Sequence, residues 1–107
     1  MINVAILYPR IPGARFDVDY YLDRHMPLSI ELLRSHPGFR SVSVEIAMGG
    51  AVPGTDAAFV AMCHYRFESV DAFVEAFTAH GERLQTDMAA YTDIEPVIQF
   101  NEVALAA

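Results

Sequence analysis

The sequence predicts an α+β domain with the element order β-α-β-β-α-β and a four-stranded antiparallel sheet. Four apolar segments of strand length alternate with two segments whose apolar residues recur at helical spacing. Two right-handed β-α-β crossovers of this kind interleave into one sheet, with both helices on the same face. Because 107 residues suffice for one core, we expect a single domain over residues 1–107.

The first half of the chain is predicted to form a strand, a helix and a second strand. Residues 2–8 are an apolar run that ends at a proline, and residues 39–47 alternate partly between apolar and polar. Pro27 lies inside the helical segment 16–35 and predicts a kink just after His25, because proline lacks the N–H donor. Drawn at about 100° per residue, that segment places one continuous apolar arc on Tyr21, Leu22, His25, Met26, Leu28, Ser29, Leu32 and Leu33.

The second half is predicted to form a strand, a helix and a last strand. Residues 58–67 are apolar on both faces over most of their length, which is typical of a central strand covered on both sides. Ser69 is placed to cap the next helix, and the pair His80–Gly81 predicts an end or a bend within it. Residues 94–104 are predicted as the last strand.

The charge and residue content exclude several classes of function. Acidic residues outnumber basic ones by 14 to 7, which disfavours nucleic acid and anionic membranes as partners. No apolar run approaches the roughly 18 residues of a membrane span, and the chain has no lysine for a Schiff base. The single cysteine, Cys63, excludes an intramolecular disulfide and fits a reducing cytoplasm.

The apolar content predicts a partner for the sheet. Hydrophobic residues make up 53% of the chain, and the third strand is apolar on the face that the helices do not cover. A second copy stacked sheet to sheet would cover that face. We therefore expect a homodimer.

Several stretches of the sequence resemble the EthD family, which is named for a protein encoded with an ethyl tert-butyl ether degradation system. The resemblance covers nearly the whole chain. It implies a ferredoxin-like monomer that pairs into a dimeric α+β barrel, a superfamily that also contains polyketide cyclases, dehydratases, cofactor-free monooxygenases and haem-binding enzymes. The matching residues are Phe16, Tyr20, Tyr21, His25, Met26, Pro27, Leu28, Cys63, His64, Phe67, residues 91–94 (YTDI) and residues 96–99 (PVIQ).

His25 is the strongest candidate for chemistry. It lies near the middle of the apolar arc, so its imidazole is expected to point inward, where it is either a core histidine bonded to a backbone carbonyl or a general acid or base. Tyr21, one turn earlier, is either a core tyrosine or a donor to a developing oxyanion. We therefore name His25 and Tyr21 as candidate catalytic residues.

Four further residues are candidate binding residues: Tyr65, His64, His80 and Tyr91. Tyr65 and His64 are neighbours on one strand and must project to opposite faces. We expect Tyr65 to line the cavity and His64 to face the partner subunit. His80 alternatively caps the second helix, and Tyr91 either edges the pocket or closes the fold.

No cofactor or metal is predicted. The four histidines form no HxH, HxxxH or HxxE cluster, and no glycine-rich phosphate loop follows the first strand. The label EthD-type reductase, often used for this family, therefore gains no support from a nucleotide motif. Haem binding through His25 or His64 is disfavoured, because the sequence shows no further aromatic or basic pocket residues for it.

Two functions follow from these observations. The first is a cofactor-independent enzyme in which His25 and Tyr21 transfer protons on a hydrophobic, oxygenated small molecule, in a cyclase, dehydratase or monooxygenase-like step. The second is a non-catalytic module that binds an apolar metabolite for a degradative oxygenase system.

Overall fold

A computed structural model describes all 107 residues of the chain. The strands are β1 (Ile2–Pro9), β2 (Phe39–Ile46), β3 (Phe59–Phe67) and β4 (Val97–Glu102). They form one antiparallel sheet in the order β2-β3-β1-β4, with two helical elements between the strands as predicted. The prediction of an α+β, ferredoxin-like fold is confirmed. No helix is both long enough and apolar enough to cross a membrane.

Helix α1 consists of an α-helical turn (Val18–Tyr20), a π-helical segment (Tyr21–His25) and an α-helical segment (Met26–Leu33). The helix begins after Asp17, whose carboxylate accepts a hydrogen bond from the Tyr20 N–H. In the π-helical segment the Met26 N–H donates to the Tyr21 carbonyl, five residues earlier. A kink was predicted just after His25, whereas the structure has a wider turn that ends at His25, before Pro27, which has no N–H to donate.

Most of the predicted apolar arc of α1 is buried, with one exception. Leu22 was placed on the arc and is 41% exposed. A π turn holds more residues than an α turn, so residues before His25 are rotated away from the positions that a regular helix would give them. The arc members Tyr21, His25, Met26, Ser29 and Leu33 are buried, and Leu28 and Leu32 are half-buried.

Helix α2 (Val70–Met88) begins at the predicted cap, where the Ser69 hydroxyl accepts from the Ala72 N–H at 3.1 Å. The predicted end or bend at His80–Gly81 is wrong, because the helix continues unbroken. Gly81 is buried, and a Cβ atom there would lie 2.9 Å from Cε1 of Phe77. The glycine therefore provides room for an aromatic ring and does not end the helix.

The two faces of the sheet differ in polarity. The helix-covered face holds the buried side chains of Val4, Tyr8, Cys63, Tyr65 and Phe67. By register, the opposite face carries Leu7 and Met62 but also Asn3, His64 and Arg66. The expectation that this outer face is apolar therefore needs correction, because it is a mixed surface.

Candidate functional site

His25 lies at the end of the π-helical segment and is 8% exposed. Its Nδ1 atom is 2.9 Å from Oδ2 of Asp87, a carboxylate oxygen on α2. Because a carboxylate only accepts hydrogen bonds, Nδ1 carries the proton, and Nε2 of the neutral ring is left as an acceptor. Burial lowers the pKa of His25 below its ordinary value of 6.5, and the opposing effect of Asp87 is smaller. The ring is therefore neutral at pH 7.

Asp87 on α2 fixes the orientation of the His25 ring through hydrogen bonds of its carboxylate. Its second carboxylate oxygen, Oδ1, accepts a hydrogen bond from the Tyr20 hydroxyl at 2.7 Å. Partial burial acts to raise the pKa of Asp87, but the hydrogen bonds from Tyr20 and His25 outweigh burial and lower that pKa. Asp87 therefore remains ionised at neutral pH and fixes which nitrogen of His25 carries the proton.

Two tyrosine hydroxyls form a hydrogen-bonded chain that begins at Nε2, the other ring nitrogen of His25. The Tyr91 hydroxyl lies 3.4 Å from Nε2, and the Tyr8 hydroxyl lies 2.7 Å from the Tyr91 oxygen. With Nε2 as an acceptor, Tyr91 donates to His25 and Tyr8 donates to Tyr91. Burial raises the pKa of Tyr8 to about 12, so the hydroxyl chain stays protonated at neutral pH.

These groups line a partly open cavity of about 110 Å³ between the helices and the sheet. Ten of its fourteen lining residues are hydrophobic, Tyr8 and Tyr91 among them, and His25 is one of the other four. Two further hydroxyls line it: the Ser29 Oγ atom and the Tyr65 hydroxyl, 2.5 Å apart. A small, mainly apolar pocket with a few convergent polar groups is typical of a ligand site.

The segment that carries Tyr91 is anchored at several points. The Arg15 guanidinium donates to the carbonyls of Ala89 and Ala90 at 2.7 Å and 3.2 Å, just after α2 ends. The Asp17 N–H donates to the Tyr91 carbonyl at 2.7 Å. These bonds tie the start of α1 to the end of α2, so His25 and Tyr91 are held on one wall of the cavity.

Comparisons with known proteins identify the family. The family model for the EthD domain matches residues 14–95. This chain belongs to the EthD family. No curated protein matches the sequence.

Solved structures place this EthD chain among proteins of the same fold. An EthD-like protein from Ralstonia eutropha JMP134 is 42% identical, with 99% of this chain and 94% of that chain covered and a TM-score of 0.91. An EthD family protein from Bacillus halodurans C-125 is 21% identical, with 95% and 97% covered and a TM-score of 0.71. SnoaB, a cofactor-independent oxygenase from Streptomyces nogalater, is 11% identical, with 98% and 93% covered and a TM-score of 0.68.

The structure brings three of the six predicted site residues of the EthD chain into this cavity: His25, Tyr65 and Tyr91. Tyr21 is 1% exposed and its ring stacks on His25, with centroids 5.8 Å apart. It packs beside the cavity wall, and its hydroxyl takes no part in the chain from His25 to Tyr8. Burial raises the pKa of Tyr21 far above its ordinary value.

The two remaining predicted residues lie elsewhere. His80 lines an open cleft between the outer surfaces of the two helices, together with Asp87. His64 lies on the outer face of the sheet, where Asn3 Nδ2 and Glu45 Oε1 are 3.1 Å and 3.2 Å from its ring nitrogens. Tyr65 and His64 therefore project as predicted, one into the cavity and one away from it.

The sequence reasoning missed three residues of the candidate site: Asp87, Tyr8 and Ser29. Asp87 could have been noticed in the sequence, because an acidic residue in the last turn of a helix interacts unfavourably with the helix dipole unless another group compensates. Ser29 lies on the predicted apolar arc one turn after His25. Tyr8 ends an apolar strand and carries no local signal that separates it from a core tyrosine.

The titratable groups of this EthD domain do not form a metal-binding cluster. No three side chains of the types His, Cys, Asp and Glu lie close enough together to hold an ion. Burial raises the pKa of the Cys63 thiol to about 12, so the thiol is protonated and acts as a small core group.

Proposed function

We propose that this EthD protein is a cofactor-independent enzyme that acts on a hydrophobic, oxygenated small molecule, with His25 as the general acid and base. The observation that supports it is the state of the His25 ring. Asp87 holds Nδ1, and Nε2 is left as an acceptor beside Tyr91 in the cavity wall. A neutral, oriented imidazole of this kind suits proton abstraction at pH 7.

The reaction that fits this arrangement is abstraction of a proton from a carbon next to a carbonyl group. Nε2 forms an N–H bond as the C–H bond breaks, the electron pair of that bond becomes a carbon–carbon double bond, and the carbonyl π electrons move onto oxygen to give an enolate. The proton then returns to carbon or to another atom of the substrate, as an isomerisation, cyclisation or dehydration requires. An ether has no such acidic C–H bond, so we favour a carbonyl compound over the ether of the family name.

The size of the cavity limits the substrate. About 110 Å³ is smaller than the roughly 300–1,000 Å³ of most drug-sized sites and near the roughly 150 Å³ that holds benzene. A compact monocyclic or branched compound therefore fits the cavity as it stands. SnoaB, which shares the fold, is described as a cofactor-independent oxygenase, in line with an enzyme that uses only its own side chains.

Hydrogen–deuterium exchange tests the proposal without knowledge of the natural substrate. Small ketones such as cyclopentanone are incubated with the protein in D₂O, and deuterium at the α-carbon is followed by NMR. We expect exchange above the rate without protein, and its loss in His25→Gln. Binding by wild type with no exchange across the panel would instead favour the non-catalytic module that carries an apolar metabolite for an oxygenase.

We also propose that two copies pack through the outer face of the sheet, in a reducing cytoplasm. Leu7 and Met62 are only half-buried there. An opposing copy would cover these apolar side chains. Sedimentation should give a dimer at micromolar concentration that Met62→Asp weakens, and a stable wild-type monomer would remove this proposal.

A further inference from the structure

The second polar pair in the cavity is not explained by the chemistry at His25. Ser29 lies on α1 one turn after His25, and Tyr65 lies on β3 across the cavity from the helix. Side chains four residues apart on a helix have Cβ atoms about 5–6 Å apart. The hydroxyl pair is therefore a near neighbour of the His25 ring within the same cavity.

Counting hydrogens shows that this pair has a donor to spare. Ser29 and Tyr65 bond to each other at 2.5 Å and to no other protein group, and both residues are buried. Whichever hydroxyl donates, the other keeps its own hydrogen without a protein acceptor. A buried O–H group without an acceptor is unfavourable. The pair therefore offers one O–H to an acceptor atom in the cavity.

The other hydroxyl chain in the cavity has no such donor. Tyr8 donates to Tyr91, and Tyr91 donates to Nε2 of His25, so every hydrogen in that chain already has an acceptor. One part of the cavity wall thus presents a base, His25, and the neighbouring part presents a free O–H donor from the Ser29–Tyr65 pair. Proton abstraction beside a carbonyl group requires this combination, a base for the carbon and a donor for the oxygen.

We propose that the Ser29–Tyr65 hydroxyl pair binds the carbonyl oxygen of the substrate and stabilises the enolate that His25 generates. This assignment rests on the proposed function of His25. As Nε2 takes the proton from carbon, the electron pair of the C–H bond becomes the carbon–carbon double bond of the enolate. The carbonyl π electrons move to oxygen, where the spare O–H donates to the developing charge. The pair thereby selects compact compounds with a carbonyl oxygen over hydrocarbons of equal shape.

The test compares cyclopentanone with methylcyclopentane, which has nearly the same shape and no oxygen. Either hydroxyl alone still offers a donor, so the decisive variant is Ser29→Ala/Tyr65→Phe, with Tyr65→Phe as a milder companion. Ser35→Ala is the matched control, because its hydroxyl bonds the Leu32 carbonyl on the exposed side of the same helix. Binding is measured by NMR titration, and the C=O stretching frequency of the bound ketone by infrared spectroscopy.

We expect wild type and Ser35→Ala to bind cyclopentanone with a lowered C=O frequency. The double variant should bind the ketone about three- to tenfold more weakly and lose the frequency shift, with methylcyclopentane binding unchanged. An unchanged ketone preference and frequency in the double variant would overturn the assignment. So would wild-type protein that binds neither compound or shows no frequency shift. If the double variant does not fold, the C=O frequency of the ketone bound to wild type is the deciding measurement.

Deuterium exchange on the same ketone separates this assignment from the proposed function. If exchange depends on His25 but the C=O frequency is the same in the Ser29→Ala/Tyr65→Phe variant, the role of the hydroxyl pair is rejected and that of the general base is supported. If the C=O frequency depends on the pair but wild type shows no exchange, the pair is supported as a carbonyl-binding site and the role of His25 as a base is rejected.

Discussion

Two histidines of this chain are each paired with a carboxylate, on opposite sides of the same sheet. His25 bonds Asp87 through Nδ1, and its Nε2 faces only the Tyr91 hydroxyl at the long distance of 3.4 Å. His64 accepts from the Asn3 amide at Nδ1 and lies 3.2 Å from Glu45 Oε1 through Nε2. Both ring nitrogens of His64 are therefore occupied by neighbours on the sheet.

The difference is the availability of a lone pair. In His64 the amide donor takes the lone pair at Nδ1, and the Nε2 proton points to a glutamate near the surface. In His25 the carboxylate takes the proton, and the lone pair of Nε2 receives only the long 3.4 Å hydrogen bond from Tyr91, in the wall of an apolar cavity. A carboxylate partner alone does not mark a general base, and the second nitrogen decides the role.

Replacement of each histidine by glutamine should give the largest contrast. His25→Gln removes the proposed base, and we expect ketone α-proton exchange to fall by about 100-fold or more, the usual contribution of a positioned base. His64→Gln should leave the rate per folded protein within about twofold, because His64 lies on the other face of the sheet. NMR in D₂O measures both, and a comparable loss in His64→Gln would refute the contrast.

Neutralising each carboxylate should give a smaller contrast. Asp87→Asn removes the charge that raises the pKa of His25, so that pKa should fall further. The asparagine also no longer dictates which nitrogen carries the proton, and we expect exchange to slow by about 10-fold. The pH profile should show its midpoint moved to lower pH, a change that mere loss of packing does not produce. Glu45→Gln is the control and should leave the profile unchanged.

Acid should destabilise the fold partly through His25. Above about pH 7.5 the ring is neutral in both states and contributes no pH dependence, because the ordinary pKa of histidine is 6.5. As pH falls below about 7.5, the unfolded chain binds a proton that the folded chain resists, because burial lowers the pKa of His25. The free energy of unfolding should therefore fall between pH 7.5 and pH 5.5. Urea denaturation of His25→Gln should show a shallower fall, with His64→Gln as the control for losing one histidine.

Removal of the Tyr91 hydroxyl should have the smallest effect. Its contact with Nε2 is long at 3.4 Å, so Tyr91→Phe should change exchange by less than about threefold. The buried Tyr8 hydroxyl loses its 2.7 Å partner, which should lower the free energy of unfolding by about 1 kcal/mol. Urea denaturation checks this value, and a 100-fold loss of exchange would instead place Tyr91 among the catalytic residues.

The sequence allowed the element order and the inward direction of His25 to be predicted, because hydrophobic periodicity is local. It also predicted that Tyr65 and His64 would project to opposite faces, since successive strand residues alternate. Asp87 could not be paired with His25, because 62 residues separate them and only the packing of two helices joins them. The same limit applies to Tyr8, which meets Tyr91 across 83 residues.

The prediction of a break in α2 failed for a local reason. Glycine lowers helix propensity by about 1 kcal/mol, but the packing of Phe77 against Gly81 outweighs that preference. The number of free hydrogen-bond donors and acceptors in the cavity could likewise not be predicted from the sequence, because it depends on distances between side chains of different elements.

The π-helical segment Tyr21–His25 makes the imidazole sensitive to a change of length. Such a segment behaves as an α-helix with one extra residue, so deleting one residue before His25 would restore regular winding and leave the rest of the helix in place. A homologue that lacks this single residue would therefore hold the histidine at this position in a different orientation to the cavity.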